Sequence, residues 1–273
     1  MHNAHDHAPQ ADCLDEFFLQ TKRPSELDIH FLFSLRKRWL YFPVPKAGNS
    51  TIRYILSKLE LARHPAGRHE MVIEDKQLVH NHLVGPLLSP YYFRPAYQDI
   101  LRDICFTGDF YRFTLVRNPF TRALSCYLDR FLSQGVTFNY IRRQAQKYGL
   151  PFREGAPPSF LDFLRTIELV PTASEMEQHV RPQVDQVMAG AIHYDRVARF
   201  ENMVNDMALV FEDIYGPGEY SEHFSRNMSP SATDASRKLP FYYNEECESI
   251  VRRLYSRDFE AFGYSTSIAG VLP

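Results

Sequence analysis

The sequence has almost no net charge, few cysteines and no long apolar run. Its 31 Lys+Arg against 33 Asp+Glu leave a formal net charge of −2 over 273 residues, so no bulk field draws the chain to nucleic acid or to an anionic membrane. Any anion it binds is held by local positive groups. The four cysteines, Cys13, Cys105, Cys126 and Cys247, form no CxxC pair and no metal-ligand spacing, which favours reduced thiols in a reducing compartment. No apolar run approaches the roughly 18 residues that a membrane span needs. The opening MHNAHDHAPQ also lacks the apolar stretch of a secretory signal, so a cytoplasmic protein is expected. His2, His5 and His7 have no carboxylate or cysteine set to close a metal site around them, and read as a histidine-containing tail. Missing as well is the GxxxxGK[ST] pattern, which argues against an ATPase, a GTPase or a nucleotide kinase.

What is present is material for one sizeable core: 44% of residues are hydrophobic and 14% aromatic. Residues 1–38 form a polar lead-in with a short amphipathic piece near Leu27 to Leu35, ending in Arg36, Lys37 and Arg38, a solvated flank or a substrate contact. Trp39 to Val44, WLYFPV, is continuous, apolar and aromatic, and predicts a buried strand. Beyond the loop PKAGN, Ile52, Ile55, Leu56 and Leu59 recur at i, i+3, i+4 and i+7, the apolar face of a helix. A second strand–loop–helix unit follows at Tyr111 to Val116, where Asn118 supplies an N-cap and Pro119 a first-turn proline. Its helix buries Phe120, Ala123, Leu124, Tyr127, Leu128 and Phe131. Arg122, Ser125 and Asp129 fall on another face.

Further on, a helix carrying Arg142, Arg143 and Lys147 is expected, then a third strand over Asp195 to Phe200 and a helix over Asn202 to Tyr215. Gly216 to Pro240 reads as a long surface loop, and one last helix runs from Asn244 to Phe262. Strands alternating with helices predict a single α/β domain over residues 39–265, a mostly parallel sheet flanked by helices, with 266–273 as a tail.

Binding a nucleotide phosphate needs helix N-terminal amides, a cation, and small residues that admit the backbone. Pro45-Lys46-Ala47-Gly48-Asn49-Ser50-Thr51 offers all three: Lys46 as cation, Ala47 and Gly48 as small residues, and the amides of Gly48 to Thr51 with the Ser50 and Thr51 hydroxyls. A plain strand-to-helix turn would look the same. At the end of the second strand, Arg117 and, one helix face onward, Ser125 are placed to converge on one phosphate, the arginine gripping it bidentately; alternatively Arg117 pairs with Asp129 or another acid.

Together these segments resemble the sulfotransferase superfamily, in particular the carbohydrate sulfotransferases of the chondroitin and HNK-1 type and their bacterial relatives. FPVPKAGNST is similar to that family's 5′-phosphosulfate loop. FTLVRNPFTRALSCYLDRF is similar to its 3′-phosphate element, R-[DN]-P-F-x-R-x-x-S-x-Y, matched at Arg117, Pro119, Phe120, Arg122, Ser125 and Tyr127. His179-Val180-Arg181-Pro182-Gln183, YDRVARFENM and YSRDFEAFGY resemble later segments, so the likeness runs from about Trp39 to Tyr264.

The resemblance implies a P-loop-like fold, 3′-phosphoadenosine-5′-phosphosulfate (PAPS) as donor, its product PAP, and no metal. It implies Lys46 at the leaving oxygen, the amides of Gly48 to Thr51 at the 5′-phosphate, and Arg117 with Ser125 at the 3′-phosphate. Arg237 and Lys238 would close over the nucleotide. Non-catalytic PAPS- or PAP-binding, or glycan binding, is the alternative function.

The acceptor hydroxyl needs a base. His80 and His82, in LVHNHLVG, share a face if extended and are similar to a His-x-His of glycan 2-O-sulfotransferases whose second histidine is the base, though the spacing to Arg117 is longer here. His179, Glu70 and Glu74 are further candidates. Arg181 and His179 are candidate acceptor contacts, with a structural ion pair as the plainer role for Arg181.

Overall fold

The computed structural model describes residues 32–62, 98–106, 109–132, 136–150, 158–224 and 233–271. These form two compact units interleaved along the chain. One holds Gly48–Leu115 and Gly190–Pro230 together with the residues up to Val44; the other holds Pro45–Ala47, Val116–Ala189 and Ser231–Pro273. None of the described helices is long and apolar enough to cross a membrane.

The first unit carries the sheet, in the order β1-β2-β3-β4, from Leu32–Ser34 (β1), Trp39–Phe42 (β2), Tyr111–Val116 (β3) and Arg196–Arg199 (β4). β2 runs parallel to β3, pairing Trp39 with Tyr111 and Phe42 with Thr114. β1 is antiparallel to β2, a hairpin strand where the sequence predicted only an amphipathic lead-in. Its turn carries the basic triplet, and two of those charges are paired: Arg36 with Glu60 and Arg38 with Asp109. All four residues of β2 are buried, as a strand covered on both faces requires. The helix Asn49–Ala62 (α1) packs Ile52, Ile55, Leu56 and Leu59 into this core, and Met203–Tyr215 adds Met207, Val210 and Phe211. Each such side chain contributes about 1.5–3 kcal/mol by leaving water. Between β1 and β3 the helix Gln98–Phe106 (α2) is also described.

The second unit is helical. Pro119–Cys126 (α3) opens with Asn118 accepting the Phe120 amide, as the sequence predicted, and runs into a π-helical turn at Tyr127–Phe131. Val136–Lys147 (α4), Phe160–Glu168 (α5) and the single turn Gln183–Gln186 (α6) follow. Counting Met203–Tyr215 as α7, the chain ends in Ala235–Tyr242 (α8), Glu245–Leu254 (α9) and Ser256–Phe262 (α10). Phe120, Leu124 and Phe131 pack with Phe160, Phe163, Ile250, Val251 and Phe259.

Two expectations are corrected here. The stretch to Pro240 is not all loop, because α8 begins at Ala235 and buries Ala235 and Leu239 while holding Pro240 inside it. The last helix is broken at Tyr255 (φ −115, ψ 25), which leaves α9 and α10 as separate pieces. Cys105, Cys126 and Cys247 are free and buried; Cys13, His2, His5 and His7 lie outside the described residues.

Candidate active site

The chain leaves β2 through Pro43 and Val44 and turns at Lys46, whose φ of 68° lies in the left-handed region, and again at Gly48, φ 81°. A non-glycine residue there is strained by roughly 1–3 kcal/mol and is held by its surroundings. Here the holders are two arginines of the second unit. Arg117 donates Nη1 to the Lys46 carbonyl at 2.9 Å and Nε to Thr121 Oγ1 at 3.0 Å. Arg122, fully buried, donates Nε to the Pro45 carbonyl at 3.1 Å and Nη2 to the carbonyls of Arg181, 2.9 Å, and His179, 3.4 Å. Arg122 is therefore a bracket inside the unit, although the sequence placed it on a face left for polar work.

Arg117 is fixed through its backbone too. Its N–H donates to Gln183 Oε1 and its carbonyl accepts Gln183 Nε2, both at 2.8 Å. Gln183 is held in turn by Asp258, whose carboxylate accepts the amides of Gln183 and Val184 at 2.9 Å. Burial pushes the Asp258 carboxyl above its ordinary value, against the opposing Arg122 charge and these amides. Neither Gln183 nor Asp258 was singled out from sequence, although both stand in the segments that carry the family resemblance.

Lys46 Nζ meets Asp129 Oδ2 at 2.7 Å, and Arg130 Nε pairs with the same oxygen at 3.2 Å. Burial pulls the Lys46 ammonium below its ordinary value, and Asp129 opposes that shift. Asp129 stands in the π-helical turn, a departure from regular helix often found at functional sites. The sequence offered Asp129 as a partner for Arg117; its cations in the structure are Lys46 and Arg130.

Past Gly48, α1 begins with no acidic residue in its first turn, so its partly positive N-terminus is unopposed. The Thr51 and Ile52 amides are taken by the Gly48 carbonyl, at 3.0 and 3.2 Å. Of the amides the sequence offered to a phosphate, Thr51's is thus already engaged. A side chain at Gly48 would meet Met203 Sδ at 3.1 Å and Phe200 at 3.2 Å, so this position demands glycine twice over. Ala47 is buried, while Asn49 and Ser50 are half-buried. Ser125, buried in α3, accepts Thr233 Oγ1 at 3.0 Å.

His179 Nδ1 lies 2.6 Å from Glu177 Oε1, and its backbone N–H donates to Glu177 Oε2 at 3.0 Å. Burial raises the Glu177 carboxyl, but the charge and hydrogen bonds of His179, with Thr137, outweigh it and hold it below its ordinary value. Glu177 was missed from sequence; the Glu-x-His spacing was its signal. Arg181 is fully buried, with Nε on the Ala173 carbonyl and Nη2 on that of Met176, both at 2.8 Å, a structural position. Arg237 and Lys238 are exposed on α8, Arg237 with Asp234 at 3.8 Å. His80, His82, Glu70 and Glu74 lie outside the described residues, and no metal-binding cluster of His, Cys, Asp or Glu occurs among the described ones.

A family model described as "Sulfotransferase family" matches residues 29–265. Over 199 residues the chain is 30% identical to carbohydrate sulfotransferase 14 of Mus musculus and 29% identical to that of Homo sapiens. Each match covers 69% of this chain and 47% of the relative, so the chain spans about half the length of the curated relatives it matches. No solved structure matches it. With most of its length matched and the lysine-bearing turn and arginine brackets in place, the chain belongs to the sulfotransferase family.

Proposed function

We propose that this chain transfers a sulfuryl group from PAPS to a hydroxyl of a carbohydrate. The observation that carries this is one short segment in which Lys46, locked at positive φ by the Arg117 contact on its carbonyl, leads into the acid-free N-terminus of α1. A lysine at that point neutralises charge building on the leaving phosphate oxygen, and the amides opening α1 hold the 5′-phosphate. Arg117 and Ser125 take the 3′-phosphate, and Arg237 and Lys238 add positive charge around the nucleotide. The similarity to proteins named carbohydrate sulfotransferase supports a sugar acceptor.

Transfer is an in-line displacement, so the protein's contribution is position and charge. The acceptor oxygen attacks sulfur, the bond from sulfur to the bridging oxygen breaks, and the electron pair stays on the phosphate of PAP. Lys46 has to exchange its Asp129 partner, wholly or in part, for that oxygen. The test is radiolabelled PAPS offered to a panel of unsulfated glycosaminoglycans, neutral oligosaccharides, phenols and lipids in the presence of EDTA. Label is expected on a saccharide. PAP binding with no transfer to any acceptor would instead make the chain a nucleotide-binding relative without catalysis.

A further inference from the structure

Glu177 and His179 form a second charged constellation in the same unit as Lys46, and the donor side of the reaction does not use them. Glu177 is buried, and its carboxylate is held in the ionised form by the neighbouring imidazole and by Thr137. An ionised carboxylate can only accept hydrogen bonds, so the ring nitrogen 2.6 Å away, Nδ1, must be the one that carries hydrogen. In the neutral imidazole the lone pair then stands on the other nitrogen, Nε2. It makes no hydrogen bond to any described residue, and the side chain is partly exposed. A histidine whose tautomer and ring plane are fixed by a buried carboxylate is the arrangement that prepares an imidazole to take a proton.

The position of His179 is tied to the reacting end of the donor loop. The Arg122 guanidinium reaches the carbonyl of Pro45, next to Lys46, with Nε and the carbonyls of His179 and Arg181 with Nη2. One buried side chain thus sets the distance between the backbone at the leaving-group lysine and the backbone at the histidine.

We propose that His179, oriented by Glu177, is the general base that takes the proton of the acceptor hydroxyl, an inference that rests on the sulfotransferase assignment above. As the acceptor oxygen bonds to sulfur, its proton passes to Nε2, and the leaving PAP carries the electron pair beside Lys46. Imidazolium forms next to the Glu177 anion, and the proton returns to solvent once the sulfated product has left. Arg122 is a positioning residue in this scheme.

The test uses the full chain with labelled PAPS and the saccharide panel, and calorimetry with PAP in parallel. H179A and H179Q should lose about 10²–10⁴-fold in kcat while binding PAP as the wild type does. E177Q should lose less than H179A. Added imidazole should restore part of the H179A rate and leave wild type unchanged, a response that a structural histidine does not give. The proposal is overturned if H179A and H179Q keep kcat within about threefold of wild type, or if imidazole rescues H82A or H80A and not H179A. A wild type that binds no PAP overturns the sulfotransferase assignment itself, and a wild type that binds PAP but sulfates nothing overturns both.

Discussion

Lys46 combines three conditions that no single residue type explains: a strained backbone, a buried ammonium and a carboxylate partner. On the proposed function, Lys46→Ala removes the charge at the leaving oxygen but leaves the amides opening α1 in place. Transfer is therefore expected to fall to background with only modest loss of PAP affinity, to be checked by turnover and calorimetry on one preparation. Arg117→Ala should act on binding, weakening PAP by about 1.5–3 kcal/mol, the typical worth of a charged hydrogen bond. Equal PAP affinity in the two proteins would refute its role. Glu177 gives a pH prediction. Its folded carboxyl lies below its ordinary value of 4.5, so the unfolded chain takes up the proton first as pH falls. Its stabilising contribution is complete above about pH 4.5 and is lost as pH drops through the folded value. The melting-temperature gap between wild type and E177Q should be constant near neutrality and narrow below that pH; a gap that widens on acidification would contradict the sign. At this scale the sequence spoke through residue types. Lys46, Arg117 and Ser125 stood out because they are cations and a hydroxyl placed at or just beyond the ends of two strands, within segments that resemble a known family. Glu177, Gln183 and Asp258 did not, because a buried carboxylate or amide is recognised only by the amides and rings that fold against it.

Elements with a clear period were legible. WLYF, YRFTLV and the i, i+3, i+4 spacing of α1 each specify their structure locally, and the structure has them within three residues of the expected bounds. β1 was not, since three residues carry no period and the strand exists only by pairing with β2. α8 was hidden by Pro240, which lacks the amide an interior helical residue donates. The break at Tyr255 was hidden for the opposite reason, because the apolar spacing continues across it. The break has a use: the Tyr255 hydroxyl donates to the Val180 carbonyl at 2.9 Å, and α10 presents Asp258 to the amides of α6. The turn before α1 makes its own prediction. Gly48→Ala places a methyl against Phe200 and Met203 at positive φ, and should cost about 1–3 kcal/mol of stability, read by urea unfolding. Unchanged stability would mean that the turn is not conformationally demanding.

For the molecule as a whole, the near-neutral charge supplies no bulk field and leaves local cations to hold any anion. The structure concentrates them in one stretch of the second unit, where Lys46, Arg117, Arg122 and Arg130 lie with their carbonyl and carboxylate partners. α/β alternation and family were readable across nearly the whole chain because four motifs stand in order. The division into two interleaved units was not, since Pro45–Ala47 joins the second unit through contacts with residues some seventy positions away. What separates a PAPS enzyme from any other adenylate binder is recognition of the 3′-phosphate. Titration calorimetry of the wild-type chain with PAP and, separately, with adenosine 5′-monophosphate tests it most directly. Saturable PAP binding that is lost with the 3′-phosphate and weakened by Arg117→Ala is the predicted result; equal binding of the two nucleotides, or no heat with PAP from a folded sample, would contradict it.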